Sequence, residues 1–437
     1  MARIFFGTSF YGKKIVRVRN VVYDTIVGAT GSEYETWYRY PVSFRIPPDD
    51  PQYAKDGSSA MGEHGYMLNT RCWSYDIGLA LLVLTAAGEN ERCMELLHRM
   101  QQDQNPDGSW NFSYDLYIGK LFHDYIRTGS VGWLLWGACC AVLRMGKTEQ
   151  AAQFLPMLEK GGDWLLHQQV PDKADPRYGL LRGGYGSYGS DYSYTAGQIE
   201  WCSTEHNCSA LQALHGLALV TGKSRYRKAA ERIKKALTAT LYDAANQRFY
   251  QGIAADGTLD TGWALDCTTW AGLTALSTLR TEIPPDCRKT TKLTYVLRGK
   301  SLTVTSSPNY YNQTYSSTET FSGFKPYSDK TADYAGAPGT IWSEGTLGYV
   351  ALCMAVGKAD DAQLYMDEMV KLQNCDGAAG GLLYVTKTYA ALPWEFHMWE
   401  SVASTAWLYL CIKAPGLLFP QVLTQATQYR RFRPVQP

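Results

Sequence analysis

The sequence predicts an all-α fold, an (α/α)6 toroid in which six helical hairpins close into a ring. Three observations predict it. From about residue 70 a unit recurs: an apolar helix, a glycine-centred turn, a more polar helix and a loop. Six of the apolar helices are greasy all round and need cover on every side, whereas their roughly five amphipathic partners need it on one face. The first and last copies both keep the greasy helix, where an open solenoid would need polar end caps. A closed ring satisfies all three.

Taken in order, residues 1–60 read as a small, irregular, β-rich apron. Short strands are expected at Ile15–Val22 and near Val27, before Pro41, Pro47, Pro48 and Pro51 interrupt regular structure. Residues 61–437 read as the toroid. Its first hairpin pairs Ser74–Gly88 with Asn90–Gln102, and the second pairs Thr128–Met145 with Glu149–Gln169. The third contains Ser203-Thr-Glu-His-Asn207, where Ser203 or Thr204 reads as the N-cap of an apolar run ending at Gly222. Arg225–Leu241 is its partner. The fourth is Leu265–Leu276, with a weaker partner around Asp286–Arg298. The fifth pairs Trp342–Val356 with Asp360–Leu372, and the sixth, Trp399–Cys411, ends the fold. Two long loops, Arg177–Gly197 and Ser301–Gly339, break the rhythm, with strand character expected at Leu302–Thr305. Each leads into an inner helix, so both should cover the same end of the ring.

Composition excludes several functions. A net charge of +1 over 437 residues, with no clustered basic stripe, argues against nucleic acid. No apolar run reaches membrane-spanning length, and the first residues lack a secretory h-region, so a cytoplasmic location is expected. The 11 cysteines are odd in number and scattered along apolar helices, which reads as reduced core. No nucleotide-binding glycine motif, Gly-x-Ser-x-Gly elbow or zinc-type spacing occurs, so no cofactor or metal is expected. Asp107-Gly108 and Asp376-Gly377 read as plain turns.

The chemistry collects at one end. Inner helices of a ring run parallel, so their first turns share a mouth. Those turns carry Asp76, Arg127, Glu205-His206-Asn207, Asp266, Glu344 and Glu400. Such carboxylates can serve as caps; focused on one cavity, two of them can instead supply acid and base for glycoside hydrolysis. Glu205 and Glu344 are the first candidates, Asp76 and Asp266 the next. Ser209 and Gln212 share Glu205's helix face and are polar, which favours Glu205 pointing inward. His206, about 100° away, should lie behind it. The ratio of 31 Tyr and 13 Trp to 13 Phe suits surfaces that stack on a ligand while bonding to it, as sugars require. Trp73, Trp342 and the lid tyrosines Tyr185, Tyr188, Tyr192 and Tyr194 are expected to line the mouth. Arg182, His206, Asn207 and Glu400 are expected to contact substrate.

At this point the chain resembles the six-hairpin glycosidase superfamily. The resemblance rests on Tyr75-Asp76, Ser203-Thr-Glu-His-Asn207, Asp266 with Trp270, Trp342-Ser-Glu-Gly345 and Ser404-Thr-Ala-Trp407, over roughly residues 65 to 415. It implies an (α/α)6 ring and a carbohydrate partner, in a superfamily that contains hydrolases, polysaccharide lyases and sugar epimerases. A glycoside hydrolase is the leading expectation. The alternatives are a lyase acting on a uronate-containing glycan and a non-catalytic glycan-binding toroid.

Overall fold

The computed structural model describes residues 40–46, 71–115, 119–120, 123–189, 193–246, 248–278, 296–305, 316–328, 339–375, 380–391 and 394–418. Its helices are α1 (Ser74–Ala87), α2 (Asn90–Asp103), α3 (Thr128–Met145), α4 (Glu149–Ala152), α5 (Leu155–Gln168) and α6 (Thr204–Thr221). They continue as α7 (Ser224–Ala236), α8 (Leu265–Thr278), α9 (Ser343–Val356), α10 (Ala359–Gln373) and α11 (Val402–Lys413). Helices α1, α3, α6, α8, α9 and α11 pack each on the next, and α11 packs back on α1. The ring is closed.

Patterning decides which helix goes inside. Every residue of α1 from Asp76 to Thr85 is buried, so no face of it is fit for water. In α7 only Tyr226, Ala229, Ala230, Ile233 and Ala236 are buried, one stripe among lysines and arginines. Helices α2, α5, α7 and α10 accordingly lie outside, packed on the inner ring. Glycines bring α1 and α3 into backbone contact: a Cβ on Gly78 would lie 2.5 Å from the Trp133 carbonyl oxygen. One on Gly137 would lie 2.3 Å from that of Gly78.

The helix starts are pinned by short strands. Arg71–Trp73, Ile126–Arg127, Cys202–Ser203 and Glu400–Ser401 run directly into α1, α3, α6 and α11. Residues 40–46 cross the seam between first and last inner helices. Ser43 N donates to Arg71 O at 3.0 Å, Val402 N donates to Ser43 O at 2.9 Å, and Arg45 pairs with Glu400. Beyond α11 the chain turns in among the inner helices, where Trp136 Nε1 donates to Leu417 O at 2.8 Å and Gln212 donates to Leu418 O.

Several boundaries differ from the sequence reading. The last inner helix starts at Val402, because Glu400–Ser401 pairs with Phe44–Arg45 and with Leu382–Leu383 as a strand. The 177–197 loop contains an antiparallel hairpin, Gly184–Tyr188 with Tyr194–Ile199. The weaker helix expected at 286–298 falls largely outside the described residues, and Val296–Thr305 is a strand paired with Ser316–Phe324. That strand includes Leu302–Thr305, as expected. Asp107-Gly108 is a turn in which Asp107 Oδ1 accepts from Ser109 N at 2.9 Å. Asp376-Gly377 and the strands expected at Ile15–Val22 and Val27 lie outside the described residues. The ten described cysteines are buried, with no disulfide among them. Among the described residues no helix is long and apolar enough to cross a membrane.

Candidate active site

A cavity of about 510 Å³ opens where the inner helices begin. Asp76, Glu205, Asp266 and Glu344 reach it from the first turns of α1, α6, α8 and α9. Its aromatic floor is shared between helices. Trp133 of α3 meets Tyr75 edge-on at 5.4 Å and Trp270 of α8 at 5.7 Å, and Trp270 stacks on Trp407 of α11 at 5.8 Å. Phe44, Trp73, Trp342, Tyr384 and Trp399 complete the upper wall. Phe44, from the N-terminal segment, meets Trp73, Tyr384 and Trp399 edge-on at 5.6 Å each.

Burial dominates the electrostatics. It raises Glu205 to about 8, helped by Asp266 and opposed by a 3.0 Å hydrogen bond from Ser209 Oγ to Oε1. Burial likewise raises Glu344 to about 8; the Tyr75 phenol, which donates to its Oε1, opposes the rise, while Asp76, Asp266 and Glu205 add to it. Trp407 Nε1 donates to the same phenol oxygen at 2.8 Å, so Tyr75 is held between indole and carboxyl. Asp76 rises to about 7 through burial, against a bond from Ser43. Asp266 rises to about 6 through burial, held back by the Cys267 backbone N–H, which donates to its Oδ1 at 2.7 Å. His206 moves the other way, to about 3, through burial and the nearby Arg127 charge. Its Nε2 stands 3.4 Å from Glu205 Oε2, and burial pushes both groups toward their neutral forms.

Of the residues singled out from sequence, Asp76, Glu205, Asp266, Glu344, Trp73, Trp342 and His206 line this cavity. His206 does so beside Glu205, contrary to the placement expected from helix geometry. Gly129 is the reason: a Cβ there would lie 2.5 Å from His206 Cδ2 and 3.1 Å from either Glu205 carboxyl oxygen. The absent side chain leaves room for both groups at one helix crossing.

Other candidates lie elsewhere. Asn207 points into the protein, where Leu181 N donates to its Oδ1 at 2.8 Å and its Nδ2 donates to Leu181 O and Ser203 O. Arg182 pairs with Glu200 at 3.0 Å, and Glu400 is committed to Arg45 and to the Gly381 N–H. None of the three lines the cavity. Of the lid tyrosines, Tyr188 and Tyr194 gather on each other and on residues 123–125 instead. Tyr194 stacks on His123 at 4.2 Å and donates to Asp124 O, Tyr188 packs on Tyr125 at 5.0 Å, and Tyr185 lies exposed. These three rings are absent from the cavity lining. Tyr192 lies outside the described residues.

The structure adds Phe44, Tyr75, Arg127, Trp133, Trp270, Tyr384, His397 and Trp399 to the lining. Trp270 carries a sequence signal, four residues after Asp266 and on the same helix face. Phe44, Tyr384, His397 and Trp399 carry none, since segments outside the helices deliver them. Among the described residues, no group of three or more His, Cys, Asp or Glu side chains is placed to hold a metal ion.

No protein-family model and no curated protein matches the chain. Solved structures do match in fold. A D-mannose isomerase superimposes with a TM-score of 0.54 at 12% identity, covering 88% of this chain and 98% of its own. An α-amylase from Clostridium perfringens gives 0.53 at 11%, covering 85% and 91%. A GH63 mannosylglycerate hydrolase from Thermus thermophilus, in complex with glucose, gives 0.52 at 12%, covering 86% and 98%. Ring closure, helix order and these superpositions agree on the fold: the chain is an (α/α)6 toroid.

Proposed function

We propose that the protein hydrolyses glycosidic bonds of a carbohydrate seated in this cavity. The observation that carries the reading is four helix-start carboxyls gathered in one cavity over an aromatic floor, each raised by burial. A first-turn carboxylate ordinarily ionises readily beside the free N–H groups of its helix. Here Ser203 caps α6, and α9 has no side-chain cap, so neither Glu205 nor Glu344 is used as one. Burial outweighs the helix dipole.

Glycoside hydrolysis needs an acid for the leaving oxygen and a base on the other side of the bond. Glu205 suits the acid, because burial and the Asp266 charge both disfavour its ionisation. Glu344 suits the base, because the Tyr75 O–H bond favours its anion. The two carboxyls feel each other, so they titrate as a pair and the first to ionise keeps the second protonated. Trp73 and Trp342 offer ring faces to the sugar. The test is release of reducing ends from a panel of oligosaccharides and aryl glycosides. Glu205→Gln and Glu344→Gln should each cut turnover by about 10²-fold or more while far-UV circular dichroism stays unchanged. Full activity in both variants would sink the assignment.

A second reading, sugar isomerisation, is favoured by one observation. The neutral His206 imidazole lines the cavity with Nδ1 buried and unpartnered, and His397 lines the same cavity from outside the helices. An imidazole free at neutral pH can move a proton between adjacent sugar carbons. Incubation with aldoses and ketoses in deuterated water, followed by NMR, separates the two. Isomerisation leaves deuterium on carbon, and hydrolysis does not.

A further inference from the structure

We infer that Arg127 reads a carboxylate on the substrate, so that the sugar in this cavity, or the group attached to it, is acidic. The inference rests on the carbohydrate reading of the same cavity and narrows its substrate class.

Other arginines of the described structure show what this one lacks. Arg99 pairs with Asp103 at 2.6 Å, Arg177 with Asp175 at 2.7 Å, and Arg45 with Glu400. Arg127 lines the cavity, yet no described carboxylate stands within ion-pair distance of it. Its Nη1 donates to Gly186 O at 2.9 Å and to Ile126 O at 3.3 Å, its Nη2 to the Tyr125 hydroxyl at 2.7 Å. The Tyr125 ring covers one face of the guanidinium at 4.1 Å. These contacts fix the group in place without neutralising it, and they leave Nε–H with no acceptor among the described residues. A charge withdrawn from water and left uncompensated is costly. At a cavity wall a ligand can supply the missing charge, and a guanidinium matches a carboxylate in shape as well as sign.

The acidic residues of the cavity do not cancel this charge. The charges that perturb Glu205 and Glu344 are those of the cavity carboxyls themselves, and Arg127 is not among them. The Arg127 charge is felt instead by His206, whose protonation it disfavours.

Tryptophan fluorescence on the full chain can test this with glucuronate and galacturonate against glucose and galactose. The uronates should bind at least about 10-fold more tightly, the range expected of a hydrogen bond to a charged group. Arg127→Gln should collapse that preference by about 10- to 100-fold, and Arg127→Lys should keep part of it. Equal binding of uronates and neutral sugars by the unmodified protein would overturn the inference, whether or not the variants fold. So would an Arg127→Gln protein that keeps the preference. Uronate-selective binding without cleavage of any uronide would leave the inference standing and sink the hydrolytic reading instead.

Discussion

Replacing Tyr75 by Phe should lower the optimum of kcat/KM and move the alkaline limb of the pH–rate profile upward. Tyr75 donates to Glu344 Oε1 and is the one group that opposes the rise of this buried carboxyl to about 8. A hydrogen bond to a charged group is worth about 1.5–3 kcal/mol, and a pKa unit is about 1.36 kcal/mol. Losing the phenol should therefore raise Glu344 by about one to two units. The sign follows from its role. A base works ionised, so a higher pKa lowers the ionised fraction at every pH below it, by about 10- to 100-fold. Because Glu205 and Glu344 both start near 8, the raised value becomes the second ionisation of the pair, so the alkaline limb moves up and the acid limb stays nearly in place. Trp407 Nε1 also loses its acceptor, which should cost about 1 kcal/mol of stability and lower Tm slightly. The assay is kcat/KM against pH for both proteins on one aryl glycoside. An optimum of unchanged height would refute the assignment of Glu344 as the base.

Other expectations follow from the same geometry. Glu205→Gln should raise Tm more at pH 8 than at pH 5. The native carboxyl binds its proton more tightly than the unfolded one, so its burial opposes folding increasingly as pH rises from about 4.5 to about 8. An equal Tm change at both pH values would contradict that burial effect. Gly129→Ala should reduce turnover at least about 10-fold by displacing His206 and Glu205, since its Cβ meets flexible side chains. Gly132→Ala should instead destabilise by about 1–3 kcal/mol, because its Cβ would lie 2.7 Å from the Ser209 backbone carbon. Paired denaturant melts and kinetics would show whether the two effects separate this way. Glu400→Gln should cost about 1–3 kcal/mol through the partly exposed Arg45 pair and leave the pH profile unmoved; a shifted profile would return Glu400 to the site. Tyr188→Ala should lower Tm before it changes KM, since the ring packs on Tyr125 and Tyr194. A raised KM at unchanged Tm would restore it to the mouth.

The ring was legible in the sequence because burial leaves a periodic trace. A helix such as α1, apolar from Ile77 to Leu84, has to be inside, and α7, with lysines and arginines around one small stripe, has to be outside. The caps at Ser203 and Gly222 are local chemistry and were legible for the same reason. So was the gathering of Asp76, Glu205, Asp266 and Glu344, since parallel inner helices bring their first turns to one end.

Only tertiary structure decided the rest. His206 joins Glu205 at the cavity because Gly129, on a different helix and far back in the chain, leaves space for both side chains. Asn207 leaves the site because the Leu181 backbone claims both ends of its amide. Glu400 sits just before its helix because a two-residue strand from the distant N-terminal segment pairs there. Tyr188 and Tyr194 stay out of the cavity because the hairpin sets them opposite each other and seats both rings on residues 123–125. Each of these outcomes depends on a partner remote in sequence, and no local pattern of residues records which partner that will be.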